Sequence, residues 1–191
     1  MNMYFETNCK RCNSNDHCCI FENNSGFTFI TPENAKRIKR EIRQNYSYFL
    51  NYSPLSKKTI NDLKNSDPAL EGSLRYSQLD KYSRILRLKT KIDGRCIFLN
   101  DIGKCDIYKI RPNICKIFPF WAMKLTNGKY KVIEHDTNPR CSITKMITEK
   151  NEDIENTLSN KEILEIKKLF KNIEKENSLY KKNIQKFVKT I

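Results

Sequence analysis

Residues 94–120 read GRCIFLNDIGKCDIYKIRPNICKIFPF. Cys96, Cys105 and Cys115 sit here among short apolar runs broken by Gly94, Gly103 and Pro112. Pro112 would fix a turn between Cys105 and Cys115. Arg111 beside it is placed to neutralise thiolate charge or to grip an anion, and a salt bridge to Asp106 or Asp101 is the simpler alternative. Tyr108 and Phe118 to Trp121 offer either an apolar cover for a metal centre or a plain aromatic core.

Working outward toward the N-terminus, residues 9–19 read CKRCNSNDHCC. A cysteine used as a small core residue sits among Leu, Ile and Val. Cys9, Cys12, Cys18 and Cys19 sit instead among Lys, Arg, Asn, Ser and Asp. Cys9 and Cys12 form a CxxC, whose gap lets two sulfurs converge on one metal, although the motif also suits a redox dithiol. The vicinal pair Cys18 and Cys19 projects in divergent directions, which favours a multi-iron cluster or two neighbouring sites over one small tetrahedral ion. His17 is an alternative ligand, with a solvated histidine the simpler reading; His135 receives no role. Cys141 completes a second block with Cys96, Cys105 and Cys115. More than seventy cysteine-free residues separate the blocks, so any shared site is closed by the fold.

The 191 residues suit one domain with an appended element. No run of about 18 apolar residues occurs, which excludes a membrane-spanning helix. MNMYFETNC lacks the basic and apolar regions of a secretory signal, so a cytoplasmic protein is expected. In that compartment structural disulfides are rare, and eight cysteines point to metal. The net charge is +14. Residues 148–191 hold ten basic and eight acidic side chains, so +12 of this charge falls on residues 1–147 with the cysteines. A solvated basic face is one explanation; an anionic partner, an acidic protein or nucleic acid, is the other.

Between the blocks, GFTFI (26–30) alternates as a short strand. TPENAKRIKREI (31–42) reads as a helix with Thr31 as N-cap, Pro32 at the first position and Ala35, Ile38 and Ile42 on one face. Residues 50–73 read as a loop with one short helix, and LRYSQLDKYSRILRLK (74–89) as a helix. Residues 120–135 read as a hairpin with a type I′ turn at Asn127-Gly128. The capping box Ser159 to Glu162 opens a terminal helix with Ile163, Ile166, Phe170 and Ile173 on one stripe, either continuous or broken near Asn177 and Ser178. The sum is a helix-rich α+β fold with short strands and a hairpin around a cysteine-ligated metal centre (1–147), followed by a C-terminal helical extension (148–191).

The combination of GRCIFL, CDIYKIRPNICKIFPF, the early CxxC with its later CC, FTFITPENAKRI and Cys141 resembles the CxxCxxCC cysteine-cluster proteins of the YkgJ type, a zinc- or iron-chelating family. The resemblance runs from about Cys9 to Cys141, although five residues separate Cys12 from Cys18, more than the family name implies. It implies a metal centre held by Cys9, Cys12, Cys18, Cys19, Cys96, Cys105, Cys115 and Cys141; from the reading of the residues themselves, Tyr108 and Arg111 are the candidate cofactor-binding residues. An iron–sulfur cluster, 4Fe-4S foremost, and an oxidoreductase role follow from it, with zinc as the alternative metal. Similarity of the family to flagellin lysine N-methylases adds methyl transfer to protein lysine as an alternative activity. A zinc-stabilised basic module binding nucleic acid or the ribosome is the third reading. Five glycines in the whole chain make a glycine-rich nucleotide loop improbable.

Overall fold

The computed structural model describes residues 19–21, 27–68, 71–134 and 153–191. Helix α1 (Pro32–Ile42) starts as its sequence dictates. Thr31 Oγ1 accepts from Asn34 N, Pro32 occupies the first position, and Ala35 and Ile38 turn into the core. A one-turn helix α2 (Tyr46–Phe49) leads into strand β1 (Leu50–Pro54). Helices α3 (Lys57–Lys64) and α4 (Glu71–Tyr76) follow, and strand β2 (Arg84–Leu88) returns antiparallel to β1, with Tyr52 opposite Leu86.

Two of these assignments correct the sequence reading. The helix expected over 74–89 stops at Tyr76, and its second half is β2. Asp80 is the cause: its carboxylate accepts from the backbone N of Tyr82 and of Arg84 at 2.9 and 2.8 Å. That local alternative to helical bonding turns the chain, with Ser83 at φ 58°. Likewise β1 lies inside a region read as loop. The expected strand at 26–30 survives in reduced form: Phe29 forms a single bridge to Arg87, while Ile30 N and Leu88 N bond across to Leu86 O and Thr28 O.

Asp80 also accepts from the Tyr52 hydroxyl and pairs with the Arg84 guanidinium at 2.8 Å. Burial opposes its ionisation, but the bonds from Arg84, Tyr52 and Tyr82 outweigh it and hold the carboxyl below its usual range. The folded value is depressed, so this stabilisation is complete above the unfolded value near pH 3.9 and is lost as pH falls through the folded value. Asp80→Asn should therefore cost about 1.5–3 kcal/mol at neutral pH and flatten the acid limb. Urea midpoints between neutral pH and pH 2 check this; parallel acid limbs for the two proteins would contradict it.

A 3₁₀ turn (Tyr108–Ile110) and helix α5 (Asn113–Ile117) precede the hairpin of β3 (Phe120–Lys124) and β4 (Tyr130–Glu134). Its turn is not type I′. Gly128 alone takes a positive φ, 77°, and bonds Gly128 N to Leu125 O and Leu125 N to Lys129 O close a three-residue loop, Thr126 to Gly128. This is a type I turn followed by a left-handed glycine. A short helix α6 (Ile154–Thr157) leads to α7 (Asn160–Val188), opened by the Ser159–Glu162 capping box and unbroken at Asn177.

Among the described residues, two apolar clusters form the interior. The first gathers Phe29, Ile38, Phe49, Ile85, Leu86, Cys96 and Phe98; the second gathers Ile117, Phe120, Trp121 and Val132. Helix α7 supplies both, giving Tyr180, Ile184 and Phe187 to the first and Ile166, Phe170 and Ile173 to the second. The Tyr180 hydroxyl accepts from Leu86 N at 3.0 Å, so a fully buried phenol caps a buried backbone donor. No helix among the described residues is long and apolar enough to cross a membrane.

Candidate metal centre

The thiol-bearing stretch is built from two tight turns. Gly94, at φ 80°, donates to Lys91 O, and Thr90 bridges Cys96 across that turn. Gly103, at φ 72°, donates to Asn100 O, and Leu99 bridges Cys105 across the next. A side chain at either glycine would strain the turn. Lys104 N donates to Asn100 Oδ1 at 2.8 Å and Asp106 N to Phe98 O at 2.9 Å, which sets the spacing between Cys96 and Cys105.

Cys19 joins them from the other block. Cys96 N donates to Cys19 O at 2.7 Å, Ile20 bridges Arg95, and Phe21 N donates to Gly94 O. The second cysteine of the vicinal pair thus lies alongside Cys96. Cys96 is buried, and half-buried Cys19 and Cys105 pack against the same cluster, with Phe49, Phe98, Leu99 and Ile107. Cys115 is half-buried on α5, where its N donates to Pro112 O. Cys9, Cys12, Cys18, Cys141, His17 and His135 lie outside the described residues.

The structure also identifies a residue the sequence reading missed. Arg75 on α4 pairs with Glu71, donates to Phe27 O at 2.7 Å and lays its guanidinium over the Phe27 ring. Burial pushes its pKa down to about 9, and the charge of Cys115 pulls it back up. A buried cation in electrostatic contact with a thiol is suited to an anionic sulfur centre. The i, i+4 spacing of Glu71 and Arg75 was the available signal, but it points to a surface pair as readily.

Arg111 forms neither salt bridge considered for it. Asp101 faces Arg95 at 3.7 Å, and Asp106 accepts from Asn100. Arg111 instead stacks on Tyr108, 3.9 Å from the ring centroid, and its Nε donates to Tyr108 O at 3.2 Å. Phe120 and Trp121 belong to the second cluster, where Trp121 meets Phe170 edge-on at 5.0 Å.

A thiol-only donor set suits zinc or iron and does not suit magnesium or calcium. Among the described residues, no three His, Cys, Asp or Glu side chains converge to hold a metal. In type, Cys19, Cys96 and Cys105 are donors such a centre uses, and of these the backbone pairs Cys19 with Cys96.

The model of the CxxCxxCC family, described as "Putative zinc- or iron-chelating domain", matches residues 8–144. That span contains all eight cysteines and ends before α6. No solved structure matches the chain.

Proposed function

The chain belongs to the CxxCxxCC family of zinc- or iron-chelating domains, and from that premise we propose that its cysteines hold an iron–sulfur cluster serving electron transfer or cluster-assisted catalysis. The observation carrying this reading is the 2.7 Å bond from Cys96 N to Cys19 O, which joins the two cysteine blocks beside the vicinal pair. Cys19, Cys96 and Cys105, with the remaining five cysteines, are the proposed ligands, and 4Fe-4S is the proposed form. Such a cluster supplies a one-electron couple when bound.

The chain's own contributions follow from the geometry. The cluster around Cys96 keeps water from the thiols on its side, which bears on potential and on metal retention. Arg75 offsets negative charge near Cys115. The stack of Arg111 on Tyr108 stiffens the turn between Cys105 and Cys115. The +14 charge supports an anionic partner, and a cytoplasmic setting suits reduced thiols.

A second reading is a zinc-stabilised binding module. Cys96 is only 6% exposed and belongs to the core itself, as expected where metal mainly organises a fold. Anaerobic purification of the full chain separates the two. A brown protein with broad visible absorption, iron and acid-labile sulfide is expected. Colourless protein with stoichiometric zinc and no sulfide would overturn the cluster and favour the module. Retention on immobilised RNA, falling steeply with salt, then tests the nucleic-acid partner.

A further inference from the structure

Helix α5, which carries Cys115, is too short to hold its own place. It has five residues, and its N-cap Pro112 makes no side-chain cap bond; a helix of this length is marginal without tertiary anchors. Ile117 fastens its far end in the second apolar cluster. Its near end, the turn Arg111-Pro112-Asn113, is held by polar bonds that converge on one carboxylate of α7.

Glu176 accepts from Asn113 Nδ2 through Oε1 and from Asn34 Nδ2 through Oε2, both at 2.9 Å. The first bond grips the turn directly, two residues before Cys115. The second reaches the turn by way of α1. Asn34 Oδ1 accepts from Arg37 Nη2 at 2.7 Å, and the same nitrogen donates to Arg111 O at 3.0 Å. Asn34 is itself fixed, buried at the start of α1 with its Nδ2 also bonded to Thr31 Oγ1 at 2.7 Å. Between the two grips lies Pro112, whose carbonyl accepts from Cys115 N at 2.9 Å and from Lys116 N at 3.1 Å. The backbone bond that orients Cys115 therefore starts from the residue that Glu176 brackets. A carboxylate suits this place because its two oxygens accept from two amide donors at once, and each such charge-assisted bond is stronger than a neutral one.

We infer that Glu176 is a positioning residue for Cys115: from α7, outside the span 8–144 that contains every cysteine, it clamps the chain on both sides of Pro112 and so sets where the thiol is presented. This assignment rests on the proposal that Cys115 is a metal ligand, and it holds for zinc and for an iron–sulfur cluster alike.

The test is alkylation of the full-length, metal-containing protein by iodoacetamide, with each cysteine resolved by mass spectrometry. Glu176→Gln keeps an acceptor for one amide and loses the other together with the charge, so the Cys115 rate should rise at least about tenfold. Cys96, buried in the first cluster, should keep its rate. Asn113→Asp added to Glu176→Gln exchanges donor and acceptor across the broken bond and should return Cys115 close to the wild-type rate. Tyr130→Phe removes the hydroxyl that donates to Glu174, on the same helix, and should leave Cys115 unaffected. An unchanged Cys115 rate in Glu176→Gln, an equal rise at Cys96, no recovery in the double variant, or an equal effect of Tyr130→Phe would each overturn the inference. Metal release to a chelator should also quicken in Glu176→Gln, and release at the wild-type rate, where Cys115→Ser has shed metal, would count against it equally. Cys115→Ser separates the two proposals. Undiminished metal per chain in that variant removes Cys115 from the ligands, while the alkylation pattern still decides whether Glu176 sets the turn.

Discussion

Cys96→Ser is expected to strip the protein of most of its metal. Altering an outer partner of a ligand already costs about 10- to 100-fold in metal affinity, so exchanging a proposed ligand's thiolate for a hydroxyl should exceed about 100-fold. The loss propagates into stability, because metal binding is folding free energy, about 10–16 kcal/mol for structural zinc in small domains. Metal per chain by plasma emission spectroscopy, with melts before and after reconstitution, reads both effects. A plain core thiol would behave differently. Cys96 is buried against Phe98 and Leu99, so a serine there would cost roughly 1–3 kcal/mol for its hydroxyl alone and leave metal content intact. Unchanged metal per chain in Cys96→Ser would remove Cys96 from the ligand set.

Trp121→Ala should produce the largest loss from packing alone, about 3–5 kcal/mol. The indole is 2% exposed and meets Phe170 of α7 edge-on, and Tyr130 meets the same ring from β4. Truncation would empty the space between hairpin and helix, which Ala122 and Val132 are too small to refill. Urea denaturation of Trp121→Ala and Trp121→Phe checks this, with phenylalanine recovering a substantial part. A loss below about 1 kcal/mol for alanine would mean that α7 collapses onto the hairpin without strain.

Elements with local punctuation could be read from the sequence. Thr31, Pro32 and Ala35 define α1, Ser159 and Glu162 define the start of α7, and Asn127-Gly128 marks a hairpin whose exact loop it leaves open. The stretch 74–89 was misread because Leu79, Tyr82, Ile85 and Leu86 satisfy helical spacing equally well. Asp80, bonding two backbone donors, decides against the helix. Strand β1 escaped because its pairing with β2 is set by partners thirty-odd residues away, and LNYSP has little alternation of its own.

At the candidate centre, residue types were legible and neighbours were not. Cysteines betray themselves by composition, so all eight stood out. That Cys19 would lie beside Cys96 follows only from the tertiary fold. Arg75 was hidden among the chain's 36 basic residues, and only its burial distinguishes it.

The placement of Tyr180, Ile184 and Phe187 in the cluster that covers Cys96 bears on the order of events at the ribosome. Synthesis runs from the N-terminus, and both cysteine blocks emerge well before the last turns of α7 exist. Until those turns are made, the thiols stand without part of their apolar roof, open to oxidants and to whichever soft metal is abundant. Cover of Cys96 is thereby tied to α7: part of the apolar roof is translated well after the thiol beneath it.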